Sequence, residues 1–202
     1  MIAHPAPAAR GVRTAFVGPR ARAYASAMLR SPRARLAGVF YLITFVTGAY
    51  TLTARGTAGM VAGLVAGACY VVVTVLFYFL FRPVSRSLSL LAALISLAGC
   101  AIGPLGQMHF VPRINTLVFF GFYCLLIAYL ISRSTFLPRM LSVVMAIAGL
   151  GWLTFLSPAL AKQLSPYNMI PGLVGEGVLT LWLLVKGVDV QRWKEQAGAG
   201  AG

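Results

Sequence analysis

Negative charge is almost missing from this chain, which has three acidic residues against 17 lysines and arginines in 202 positions. Charged residues of either sign make up 10% of it and hydrophobic ones 59%. A soluble domain carries roughly a quarter charged residues, so these proportions exclude one. Histidine occurs only at positions 4 and 109, which leaves no pair of imidazoles inside a bundle to hold a haem. The three cysteines, Cys69, Cys100 and Cys124, follow no zinc spacing, and in an apolar setting a free thiol packs as a small hydrophobe. The phosphate-cradling Gly-rich loop, H-E-x-x-H and G-x-S-x-G are all missing. With no second acid beside the first and no nucleophile paired to a base, the sequence predicts no metal and no cofactor, and disfavours an enzyme.

What the chain has in abundance is apolar length. Six runs, Leu36 to Leu52, Gly59 to Phe81, Leu88 to Leu105, Thr116 to Ser132, Met140 to Phe155 and Pro171 to Val185, approach the roughly 20 residues that a helix needs to cross a bilayer. Lipid cannot hydrogen-bond an open backbone, and a barrel would alternate apolar with polar residues, so the runs predict helices. The expected fold is an all-α polytopic membrane bundle with six transmembrane helices.

A net charge of +14 in a soluble protein would suggest nucleic acid, but the positions of the charges argue for the bilayer as the partner and against nucleic acid. Seven arginines (10, 13, 20, 22, 30, 33, 35) precede the first run. Arg82 and Arg86 follow the second, Arg133 and Arg139 the fourth, and Lys186, Arg192 and Lys194 the sixth. The opposite connections hold only Arg55, Arg113 and Lys162. Basic residues gather on the cytoplasmic side, so both termini are expected inside.

Three regions follow. Residues 1–34 form an acid-free tail rich in Ala, Pro and Arg, read as disordered or as the product of a start placed at Met1 when Met28 is the true one; the alternative is a basic arm on anionic lipid. Residues 35–187 form the transmembrane domain, and 188–202 a cytoplasmic tail. In the last outer connection, Ser157 followed by Pro158 predicts the cap of a short surface helix.

Two faces predict close helix packing. Gly59, Gly63 and Gly67 form overlapping G-x-x-x-G units in the second run, and Tyr41, Thr44, Gly48 and Thr51 recur at helical spacing in the first. The partner of the glycine face is either another span of this chain or a second protein.

The last run contains Glu176. Gly172, Glu176 and Thr180 share one helical face, which directs the carboxylate into the bundle. At about 1.5 Å per residue it lies about 7.5 Å below Pro171, a shallow position whose partners would come from the outer connections, above all His109 and Arg113. A packing role pins that loop to the last span. A functional role makes Glu176 a proton acceptor or cation anchor in an outward-facing pocket with His109, Arg113 and Thr180.

The stretches "RSTFLPR", "AGLGWL" and the Gly175, Glu176, Gly177 triplet ahead of "LTLWLLVKG" resemble the bacterial membrane family catalogued as domain of unknown function 4386. The resemblance covers roughly residues 34 to 196 and implies a multi-pass protein of the bacterial inner membrane, with no activity attached. The leading expectation is a six-span protein that binds or moves a small or lipidic molecule. The alternative is an accessory subunit docked on a membrane protein, or on a second copy, through the Gly59, Gly63 and Gly67 face.

Overall fold

The structure is a computed structural model that describes residues 31–54, 56–107 and 115–199, without the side chains of 31, 32, 52 and 104–107. Among the described residues it is all helical. The helices are α1 (Ser31–Thr53), α2 (Gly56–Phe81), α3 (Arg86–Gln107), α4 (Leu117–Arg133), α5 (Arg139–Leu153), α6 (Pro158–Leu164), α7 (Ile170–Val185) and α8 (Val190–Ala199), with 3-10 turns at Thr154–Leu156 and Tyr167–Met169. Among the described residues four stretches are long and apolar enough to cross a membrane: Gly56–Phe81, Arg86–Gly103, Arg139–Leu156 and Tyr167–Val185; α4 is apolar with 17 residues.

Local chemistry sets the boundaries. Asn115 Oδ1 accepts from the Leu117 N–H at 3.0 Å to open α4. Pro138 stands at the N-cap of α5, where its missing N–H leaves no donor orphaned. The Ser157 hydroxyl accepts from the Leu160 N–H at 3.4 Å, with Pro158 behind it, which is the cap read from the sequence. Gly187, at φ +72°, ends α7 as its N–H and that of Lys186 turn back to the Trp182 carbonyl; a residue with a Cβ is strained there.

Side-chain contacts fix how the helices run. The start of α1 meets the end of α7, where a Cβ on Gly38 would lie 2.9 Å from Leu184. The end of α5 meets the start of α7 at Gly151 and Pro171, and the start of α4 meets the end of α5 at Gly121 and Leu153. Gly99 and Gly103 on α3 face Phe119 and Thr116 at the start of α4. Thr44 on α1 reaches the Ala66 carbonyl on α2, and Thr74 on α2 meets Ser96 on α3. Neighbours are therefore antiparallel, and six helices form a ring in the order α1, α2, α3, α4, α5, α7, closed by α7 on α1. Arg33, Arg35, Arg82, Arg86, Arg133, Arg139, Lys186, Arg192 and Lys194 gather at one end, while Lys162 is at the other.

The outside of the ring is apolar as well as its core, which also holds a few polar groups. Val46, Leu64, Leu150, Leu181 and Val185 point outward, whereas Thr74, Ser89, Ser96, Glu176 and Thr180 are buried inside. An apolar exterior of this extent would drive aggregation in water and carries no such penalty in lipid.

The C-terminal tail carries a helix that a count of apolar runs does not register. In α8, Trp193 is buried and donates its indole N–H to the Leu80 carbonyl at 2.9 Å. Gln196 accepts from the Thr135 N–H at 3.0 Å and donates to the Arg133 carbonyl at 3.1 Å. The helix is thereby fastened to the ends of α2 and α4 at the basic end of the ring.

Candidate functional site

Glycine decides what surrounds Glu176. At Gly172 a Cβ would run into the Trp152 indole, and at Gly175 it would run into the Val144 carbonyl and Ala148. Without those two side chains α5 lies directly on α7, and Trp152 lies across the turn above Glu176. The spacing also puts Gly172, Glu176 and Thr180 on one buried face. The Thr180 hydroxyl donates to the Glu176 main-chain carbonyl at 2.8 Å, so it completes the helix and does not touch the carboxylate.

The carboxylate accepts from three other helices. Tyr41 on α1 donates its hydroxyl to Oε2 at 2.5 Å, and Trp152 on α5 donates its indole N–H to Oε1 at 2.5 Å. The Cys124 thiol on α4 donates weakly to Oε1 at 3.5 Å. Four of the six helices in the ring meet on one side chain. A hydrogen bond to a charged group contributes roughly 1.5–3 kcal/mol, and a charged residue at the centre of a span costs about 2.5–3.5 kcal/mol on insertion scales. Donors of this number and kind therefore offset part of the cost of placing a carboxyl group in an apolar ring. Among the described residues no basic side chain pairs with Glu176; the one ion pair joins Arg192 and Asp189 at 3.4 Å.

Around Tyr41 the interior is aromatic and hydroxylic. Its ring stacks on Phe45 and meets Tyr70 and Phe77 edge-on, and its hydroxyl is 3.5 Å from that of Tyr70. The Tyr123 hydroxyl is buried with no hydrogen-bond partner among the described residues, and Thr74 and Ser96 bond each other at 2.6 Å. Among the described residues no group of three His, Cys, Asp or Glu side chains is arranged to hold a metal; Cys69 and Cys100 are half-buried free thiols.

The expectations for Glu176 fare unevenly. The inward direction holds, but the shallow depth is corrected. The apolar stretch starts at Tyr167 instead of Pro171, so Glu176 stands halfway along it, level with Tyr41 and Cys124 in the middle of α1 and α4. His109 and Arg113 lie outside the described residues, as does Arg55. Lys162 is exposed on α6. The three donors instead come from the helices α1, α4 and α5. Of these, Trp152 carried no sequence signal except the small residues of "AGLGWL" beside it, and Cys124 only its matching depth.

The packing faces differ along their length. Thr44 bonds the Phe40 carbonyl at 3.0 Å and Thr51 the Gly48 carbonyl at 2.6 Å. A Cβ on Gly63 would stand 3.8 Å from the Thr51 methyl, one on Gly59 would press on the Ala54 carbonyl, and one on Gly67 would meet nothing within 4 Å.

Comparison with known proteins adds family and little else. No solved structure matches the chain. A protein of Archaeoglobus fulgidus, named only as uncharacterised, is 31% identical over 127 residues, covering 58% of this chain and 76% of the relative. The family described as "Domain of unknown function (DUF4386)" matches residues 107–187, a segment that holds Cys124, Trp152 and Glu176 but not Tyr41. The chain belongs to that family.

Proposed function

We propose that this is a six-span protein of the bacterial inner membrane, with both termini cytoplasmic, whose helical ring holds one anionic site, Glu176, for a proton or a small cationic group. Ligand reaches it from the outer end, past Trp152 and along an approach that includes His109 and Arg113. The observation that carries this reading is a mid-span carboxylate that meets donors from α1, α4 and α5 and no cation among the described residues. An acid used only to fasten helices could be replaced by a neutral amide, whereas a proton or cation site needs the charge. The scarcity of basic residues in the outer connections, which hold only Arg55, Arg113 and Lys162, supports the orientation.

The test is Glu176→Gln in proteoliposomes, read by infrared difference spectroscopy of carboxyl groups while the outer pH is changed. The wild type is expected to show a carboxyl band that responds to outer pH, and the variant to lose it while still folding, its melt lowered only by the hydrogen bond that the amide nitrogen cannot accept. A band indifferent to pH, with a variant that only melts earlier, would leave Glu176 a packing residue.

A second reading, an accessory subunit docked through α2, has one observation in its favour: Gly63 is exposed and Gly67 is open, so the glycine face is only partly filled by α1. Gly63→Leu is expected to dissociate a complex that survives gentle detergent extraction. A chain that runs as a monomer with or without the change rules that reading out.

A further inference from the structure

We propose that a cleft at the basic end of the ring binds the phosphate of an anionic phospholipid. The cleft has a volume of about 440 Å³ and opens where residues 135–138, the end of α7 and the start of α8 converge. It exists because Gly187 turns the chain out of α7 and Trp193 fastens α8 back onto Leu80. Lys186 and Arg192 stand on its walls, over Phe136, Trp182 and Val188. Arg35 reaches within 3.8 Å of where Gly187 would carry a Cβ, which adds a third positive charge at the rim.

The balance of charge favours an anion. Asp189 lines the cleft and is paired with Arg192 at 3.4 Å, while Lys186 makes no ion pair among the described residues. The other two acids of the chain are Glu176, buried at mid-span, and Glu195, one turn along α8 and bonded to Gln191 at 3.3 Å. Acyl chains have a surface as well. Met140, on the first turn of α5, and Val185, on the last turn of α7, are 81% and 69% exposed, so exposed apolar side chains follow closely in sequence on Pro138 and Lys186 of the cleft's lining. Cationic walls above an apolar strip match a phospholipid, while a free phosphate ion would use only the walls.

The assignment rests on the six-span reading, which sets this end at headgroup level. The experiment uses the full chain in nanodiscs of phosphatidylcholine with a minor share of phosphatidylglycerol, followed by detergent exchange and native mass spectrometry of the retained lipid. The wild type is expected to retain phosphatidylglycerol in preference to phosphatidylcholine. Lys186→Gln with Arg192→Gln should weaken that retention about 30-fold, from the roughly fivefold that each basic group contributes near an anionic surface. Arg82→Gln with Arg86→Gln, at the same end but not among the residues that line the cleft, should leave it unchanged, as should inorganic phosphate in the buffer. Equal loss in both double variants, equal retention of the two lipids, or full displacement by phosphate would each overturn the lipid site. Extraction of the wild type from membranes by a carbonate wash would instead overturn the six-span reading.

Discussion

Two glycine-lined faces of this molecule have opposite fates. On α7, Gly172 and Gly175 are filled: an indole covers one and the α5 backbone the other. On α2, Gly63 has only a methyl at ordinary contact distance and Gly67 has nothing near it. Spacing of small residues announces that another backbone can come close, but not what comes or whether anything does. What separates the two faces is the neighbour of the glycines. The α7 pair lies in the turn before a carboxylate that needs donors, and the close approach is what brings Trp152 within bonding distance of it.

Substitutions can break or sharpen that contrast. The largest effect is expected from Gly172→Ala, whose Cβ meets the Trp152 ring; overpacking of this kind costs about 1–3 kcal/mol, and displacement of the indole from Glu176 brings the total to the top of that range in a detergent melt. Trp152→Phe keeps the bulk and removes the N–H, leaving one carboxylate oxygen to the weak thiol donor, for a loss of about 2 kcal/mol. Tyr41→Phe removes the other strong donor and should lower stability by about 1.5 kcal/mol. Gly67→Ala should fall within about 0.5 kcal/mol of wild type, because its methyl enters open space and alanine favours the helix. A Gly67→Ala variant as damaging as Gly172→Ala would show that the α2 face is occupied after all, and a harmless Gly172→Ala would show that the indole does not lie where it is described.

Much of the architecture was legible from apolar runs, because a helix in oil must be long and almost free of charge, and such runs leave a plain trace. Their ends agree with the helices to within a few residues, and ahead of α7 Tyr167, Asn168 and Met169, which lie outside the run, form a 3-10 turn that lengthens the apolar stretch. With that turn included, Glu176 stands halfway along the stretch, deeper than a start at Pro171 implies, while His109 and Arg113 lie outside the described residues. The donors Tyr41, Cys124 and Trp152 are 135, 52 and 24 residues away in sequence. Which helices adjoin in a ring is set by packing, and no periodicity within one helix reports it. The helix α8 was missed for a different reason: it is polar and short, and a single tryptophan fastens it.

The account turns on α1 and α7 meeting through one carboxylate in the middle of the ring. A double-mutant cycle of Tyr41→Phe and Glu176→Gln, melted in detergent, measures that contact directly. A coupling energy of at least about 1 kcal/mol is predicted for a hydrogen bond to a buried charge, and losses that simply add would contradict it.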